Sequence, residues 1–499
     1  MSESNVIDSQ KFQDEYGYVH ETKMELGRGG QGVVYRTYNA DIAIKLSLKD
    51  GNPLNNNNDI RQARKSFNRL KYLPLENLKI STPIALLEQE LVKDSSYNIA
   101  GYAMQLMADM QPFETFIFGQ QKPENIKALK IASYIQNISP NNLDIQKRLA
   151  FYIATHGVKR RLKALYRCAL VLHQLHSRGL FFADINPNNE FFSNDLDYDE
   201  VWLIDADNIH YDDPSKHQVD IYFPRYGAPE VVTNKAKSSI VSDCYSFAIL
   251  SHLMLAQHHP FDVSAVNNDN EMNWDDDKDS ESSDDFFNDI DKVETGELAW
   301  ILSPNDNSNQ NAIPLGFVIQ EPEIFSLFKQ TFEQGKFEVN LRPSMNLWVI
   351  ALAKLHDRLL PCPNCHFTFA SLDDEKCDLC QTSRPNYLNI DVLNQNNTKI
   401  WHFVHEVPHT NIKIPTRLVS GVDSDEGYTA LLEITVSDKD LFITKKNSEW
   451  DCRIVGRNRP SSWSYTFKTQ LIYENVMEIQ GYSETQPDQI FRLQLSIKK

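Results

Sequence analysis

A chain of 499 residues exceeds what one ordinary hydrophobic core serves, and a typical domain length divides it into about three units. Hydrophobic residues make up 41% and charged residues 24%, proportions that exclude a globally disordered chain and a membrane protein. The net charge of −18 is largely local, since fourteen Asp or Glu stand against two Lys between Asp262 and Ala299, and an acidic balance argues against nucleic acid as the main partner.

Residues 1–20 are polar and lack the basic-then-apolar order of a signal peptide, so they read as an N-terminal segment of a cytoplasmic protein. Residues 21–107 read as a small β-rich lobe, with short apolar runs such as Ile42 to Leu46 and Tyr102 to Met107 and one helix near Ile60 to Tyr72. From Lys159 onward Leu162, Leu165, Ala169, Leu172 and Leu175 recur at three- and four-residue spacing, which predicts a long helix ending before Gly179. It belongs to a mainly helical block over 108–359. Tyr245 to Ala256, the most apolar stretch, is too short to cross a bilayer and reads as a buried helix, so no membrane association is expected. The Asp-, Asn- and Ser-rich residues 262–299 cannot bury enough apolar surface to offset ordering entropy and read as a flexible insertion. Paired cysteines fill 360–385. Residues 390–499 alternate with period two, as in Ile434/Val436, Trp463/Tyr465/Phe467 and Phe491/Leu493/Leu495/Ile497, and read as a separate all-β interaction module.

Three segments suit phosphate chemistry. Glycines at 27, 29 and 32 in Gly27-Arg28-Gly29-Gly30-Gln31-Gly32 let a hairpin backbone approach phosphates where a Cβ would collide, and Val33-Val34-Tyr35 continues the strand. On the next apolar strand, Ala43-Ile44-Lys45 offers a fixed cation. The loop Ala183-Asp184-Ile185-Asn186-Pro187-Asn188-Asn189 places an Asp five residues before an Asn, a spacing that can set a carboxylate by a nucleophilic hydroxyl and an amide oxygen on a metal ion. Finally, the apolar run Val201-Trp202-Leu203-Ile204 delivers Asp205. Any one of these has a plain structural reading as a turn, a strand-edge charge or a cap.

In this order the segments resemble a eukaryotic-type protein kinase over residues 21–359. The resemblance implies a bilobal α+β fold and a transfer of the γ-phosphoryl group of Mg·ATP to a Ser/Thr hydroxyl of a protein substrate. It assigns nucleotide contact to Gly27, Arg28, Gly29, Gly30, Gln31, Gly32, Val34, Ala43, Lys45, Met104, Gln105 and Met107, with Met104 as gatekeeper. Asp184 matches the catalytic base, and Asn189 and Asp205 match the Mg²⁺ ligands. Glu230 of Ala228-Pro229-Glu230, Asp243 and Arg342 match structural positions. The wording of Asp184 to Asn189, of Leu203-Ile204-Asp205-Ala206-Asp207 and of His259-Pro260-Phe261 resembles a bacterial, zinc-ribbon-containing branch found in tellurite-resistance-associated gene clusters. That branch implies a von Willebrand factor A protein and a metal-dependent phosphatase as partners.

The pattern departs from the family in several places. Phe182 and Ala183 replace the histidine and arginine before the base, Asn186 replaces a lysine, and Ala206 and Asp207 replace the phenylalanine and glycine after Asp205. The helix near Ile60 to Tyr72 carries no glutamate for Lys45; Gln62, Ser66 and Asp59 are the candidates, and Gln62 is the choice. A nucleotide-binding pseudokinase and a small-molecule phosphotransferase are the competing readings.

Cys362-Pro363-Asn364-Cys365 and Cys377-Asp378-Leu379-Cys380 read as two knuckles that complete a tetrahedral four-sulfur zinc site of structural type, with a redox pair or reduced surface thiols as the alternatives. His366 reads as a bystander. Cys168, Cys244 and Cys452 are isolated. The ribbon is expected to lie outside the core of the lobes, which should therefore fold without it.

Overall fold

The computed structural model describes residues 9–30, 32–54, 56–107, 109–195, 200–213, 215, 219–261, 292–310, 313, 315–369, 371–407, 411–422, 425–436, 440–454, 466–470, 477–483 and 490–499. Gln31, Lys278, Trp463, Tyr465 and the acidic residues 262–291 lie outside that set.

The first lobe is a β-barrel. Strands β1 (Lys11–Asp14), β2 (Val19–Arg28), β3 (Gly32–Thr37), β4 (Ile42–Lys49), β6 (Pro83–Val92) and β7 (Ser95–Gln105) pair in the ring β1-β2-β3-β4-β7-β6, and β6 returns to β1. A short strand β5 (Asn52–Pro53) hangs on β4. The barrel encloses Phe12, Val33, Tyr35, Ile44, Leu48, Ala85, Leu87 and Ala103. Residues 9–20, read from sequence as a polar lead segment, are therefore part of this lobe. Phe12 alone carries the apolar signal of β1, and a four-residue strand leaves no room for alternation. Asp14 seals that end of the barrel, accepting from the amides of Tyr16 and Tyr18, with His20 Nε2 at 2.9 Å.

Helix α1 (Asn57–Leu70) is capped by Asn56, whose side chain accepts from the Asp59 amide at 2.8 Å. It buries Ile60, Phe67 and Leu70, with Phe67 edge-on to Tyr102 at 4.9 Å between centroids.

The second lobe is built on α5 (Gly157–His176) and α7 (Ile240–Ala256). The α5 stripe Leu162, Leu165, Ala169, Leu172 and Leu175 is fully buried. A capping box between Ser239 and Ser242 starts α7, which is buried nearly all round. Among the described residues no helix is long and apolar enough to cross a membrane. Within α7, His252 is held as a neutral ring: Nδ1–H meets the His258 carbonyl at 2.7 Å and Nε2 accepts from the Trp300 indole at 3.2 Å. Burial pushes its pKa down to about 3.

The four cysteines form two equivalent knuckles. The Cys362 amide donates to the Phe367 carbonyl and the Cys377 amide to the Thr382 carbonyl, and His366 and Gln381, each following the second cysteine of its pair, share a left-handed φ of 59°. This unit sits inside the core of the second lobe. Cys362, Cys365, Cys377, Phe367 and Phe369 are continuous with it, and Phe367 lies against Tyr152 at 5.4 Å. The expectation that the ribbon lies outside the core of the lobes is corrected: spacing of the cysteines along the chain says nothing about which surface the loop covers.

The described residues between 387 and 498 are mainly strands in two antiparallel sheets, with a short helix at Arg417–Ser420. They share the core of the second lobe instead of forming a detached module. The junction is a buried charge cluster at the end of helix Met345–Arg358. Arg417 donates Nη2 to Asp357 Oδ1 at 2.6 Å and Nε to Oδ2 at 3.1 Å, and the Trp401 indole donates to Oδ2 at 3.0 Å. Tyr166 of α5 stacks on Tyr428 with centroids 5.4 Å apart.

Candidate active site

The site lies where a β-hairpin of the second lobe faces β4 of the barrel. Strands β10 (Glu190–Ser193) and β11 (Val201–Leu203) pair with Glu190 opposite Leu203, and the Ile204 amide donates to the Asn189 carbonyl at 2.9 Å. This register brings Asn189 and Asp205 to the same end of the hairpin. The loop before it is fastened from below by Asp243, which accepts from the amides of Phe182 at 2.7 Å and Ala183 at 3.0 Å. Ala183 and Asp205 both adopt positive φ, 67° and 60°, a left-handed conformation uncommon for side chains other than glycine.

Asp184 is gripped by three amides. Asn189 Nδ2 donates to Oδ2 at 2.9 Å, Asn208 Nδ2 to Oδ2 at 3.1 Å, and Asn186 Nδ2 to Oδ1 at 3.1 Å. Burial raises the Asp184 pKa above the ordinary carboxylate value, with Asn189 and Asn186 opposing. The arrangement aims a carboxylate while keeping its affinity for a proton up, which suits a general base.

Lys45 extends from β4 with only 11% of its side chain exposed. Its ammonium donates to Asp205 Oδ1 at 2.8 Å and to Asp207 Oδ2 at 3.0 Å. Burial acts to lower its pKa, but Tyr102 and the carboxylates of Asp207 and Asp205 outweigh that and hold it above the usual lysine value. Gln62 does not reach it. Gln62 and Ser66 are exposed on α1, and Asp59 pairs with Lys49 at 3.2 Å. The choice of Gln62 is therefore corrected, because the side of α1 that faces the barrel is filled by Phe67.

The glycine hairpin joins β2 to β3, with the Gly29 amide donating to the Gly32 carbonyl at 2.8 Å. A Cβ on Gly32 would come within 3.1 Å of Lys45 Cε and 3.2 Å of the Leu46 carbonyl, so a side chain there would press on the lysine and on β4 by a few tenths of an ångström. Gly27, Gly29 and Gly30 face open space. Arg28 is turned aside to Glu25 and the Tyr35 hydroxyl. Val34 is opposite Lys45 and Ala43 opposite Met104 in the sheet, Met104 Sδ accepts from Ser81 Oγ at 3.4 Å, and Gln105 and Met107 follow at the end of β7.

Further from the site, Arg342 donates to both oxygens of Glu230 at 2.7 Å and to the carbonyls of Gly335 and Val241. The bidentate pair is nearly enclosed.

Residues 144–333 match the family model described as Protein kinase domain. The match supports a protein kinase. It spans Asp184, Asn189, Asp205, Glu230 and Asp243, and stops short of the barrel that carries Lys45. A comparison with curated proteins gives no match.

Asn208 is a site residue that the sequence reading does not name, and Asp207 enters it only as the replacement of a glycine. Their signal is the run Asp205-Ala206-Asp207-Asn208 directly after an apolar strand, two carboxylates and an amide within four residues.

Proposed function

We propose that this chain is a protein kinase that transfers the γ-phosphoryl group of Mg·ATP to a Ser/Thr hydroxyl of a protein. One observation carries the reading: a base held by three amides stands beside Asn189 and Asp205 at one end of a hairpin, and Asp205 is bonded to a buried lysine from the opposite lobe. Asn189 spends its NH₂ on Asp184, which leaves the amide oxygen for a cation, and Asp205 supplies a carboxylate beside it, so the donors fit Mg²⁺. When bound, Mg²⁺ neutralises charge on the phosphates. Asp184 would accept the proton of the attacking hydroxyl, Lys45 would hold phosphate oxygens, and the open glycine hairpin would cover them.

The Glu230–Arg342 pair supports a protein substrate over a small molecule, because it fixes the segment after Asp205 as a firm platform. On the resemblance alone, a von Willebrand factor A protein is the substrate to try first and a metal-dependent phosphatase the enzyme to reverse the reaction.

The four sulfurs are proposed to hold zinc. All lie within 4.8 Å of one another, with Cys362 to Cys380 at 3.5 Å and Cys365 to Cys377 at 3.6 Å. Tetrahedral bonds of about 2.3 Å set sulfurs about 3.8 Å apart, close to this spacing.

Radiolabelled ATP with wild-type protein beside Asp205→Ala tests the kinase reading. Label in protein with the wild type alone supports it; ATP binding without any transfer would make the chain a pseudokinase.

A further inference from the structure

Lys45 is bonded to two carboxylates, yet α1, the helix against its sheet, supplies neither. A buried ammonium on a flexible stem needs a fixed partner to keep its charge and its aim. In the kinase reading Asp205 is committed to the cation, so the lasting partner has to be another group. On that reading we propose that Asp207 is the positioning residue that fixes Lys45 for the nucleotide phosphates, and that Arg69 holds the turn carrying it.

The backbone explains how residues 205 and 207 reach one ammonium. The left-handed Asp205 leads into a 3₁₀ turn over Ala206–Asn208, closed by the Asn208 amide on the Asp205 carbonyl at 3.2 Å and the Ile209 amide on the Ala206 carbonyl at 3.0 Å. Ala206 is fully buried, which seats the turn against the core. Arg69, in the last turn of α1, donates Nη1 to the Ile209 carbonyl at 2.6 Å and Nη2 to the Asp207 carbonyl at 3.1 Å. The helix thus acts on the lysine through backbone carbonyls and not through a carboxylate of its own. An ammonium has three donors; two are used, and the third is left for phosphate. The missing helix glutamate and the aspartate at position 207 are two halves of one exchange.

The test uses full-length wild type, Asp207→Asn, Asp207→Glu, Gln62→Ala, and Lys45→Met with and without Asp207→Asn. Binding of a fluorescent ATP analogue and kcat and KM for ATP are measured, together with the Lys45 Nζ resonance of nucleotide-free, ¹⁵N-lysine-labelled protein, assigned by its loss in Lys45→Met. Asp207→Asn is expected to lower kcat/KM by about tenfold, as loss of one charge-assisted hydrogen bond does, and to move the Lys45 resonance. Asp207→Glu should recover most of this, and Gln62→Ala should match wild type. In the Lys45→Met background, Asp207→Asn should weaken analogue binding by less than about twofold, because coupled residues are not additive. An unmoved Lys45 resonance, or an equal loss of binding without the lysine, would overturn the inference. Wild type that binds no analogue would remove the kinase reading instead, and the resonance would still decide the role of Asp207. If Asp207→Asn fails to fold, Arg69→Met loosens the same turn and is read by the same resonance.

Discussion

Gly157 lies under the carbonyl of His366 so closely that a Cβ placed on it would come within 2.0 Å of that oxygen. The glycine opens α5 with a φ of 66°, and His366 belongs to the first cysteine knuckle. The four-cysteine unit is thus seated on the elbow before the longest described helix of the second lobe. Gly157→Val should cost about 2–4 kcal/mol, from left-handed strain together with a backbone collision. Thermal unfolding checks this, and a chelator should strip metal from the variant faster than from wild type.

One zinc per chain is expected by elemental analysis. Replacing Cys362 and Cys377 by Ser should release it and lower the unfolding temperature of the second lobe, since both residues are buried in its core. An unchanged melting curve after metal loss would contradict this placement.

On the kinase reading, Lys45→Ala, Asp184→Ala and Asp205→Ala should each lower phosphoryl transfer by at least about 10²-fold, because each would remove a charge or base acting in the transition state. Asn208→Ala should do less, about tenfold, since it removes one of three amides aiming the base. Initial rates at saturating ATP separate the two classes.

Asp357→Asn should destabilise the protein by about 3–5 kcal/mol, because it leaves Arg417 buried without its counter-charge. The urea midpoint measures this. Replacing Asp357, Arg417 and Trp401 together by apolar residues should cost much less than the single change.

Stability should fall as the pH is lowered from about 6.5. His252 and His356 are buried with pKa values pushed down to about 3, and His405 to about 4. Below about pH 6.5 the unfolded chain takes up protons that these folded rings refuse, so each contributes a loss of up to about 1.4 kcal/mol per pH unit. Asp357 acts in the same direction at lower pH. Burial would raise its pKa, but Arg417 and His356 outweigh that and depress it, so its contribution is present above the unfolded carboxylate value and is lost as the pH falls through the folded one. Urea midpoints between pH 7 and pH 4 give the slope.

What the sequence makes legible is whatever depends on short spacing. Asp184 and Asn189 are five residues apart, and the strand before Asp205 shows in its own apolar run, so the segments of the candidate site can be read locally. The partner of Lys45 could not be, because Asp207 is separated from it by 162 residues and looks like a lost glycine. The same holds for the junction with the C-terminal strands. Their alternation is visible, whereas Asp357 and Arg417 meet across 60 residues with no pattern to announce it. Strand β1 shows the remaining limit: with Phe12 as its sole apolar residue, its place is set by the gap between β2 and β6 more than by its own composition.

Closing that gap changes the mechanics of the lobe that bears the glycine hairpin. A sheet with two free margins can splay or fan to admit a bulky ligand, and it can recruit a strand from another chain. A hoop of six paired strands has neither freedom, because widening it at one seam means breaking a ladder of hydrogen bonds at another. On the kinase reading, room for a nucleotide would therefore have to come from the hairpin tip and from the chain leaving the barrel at Gln105, and not from the ring itself.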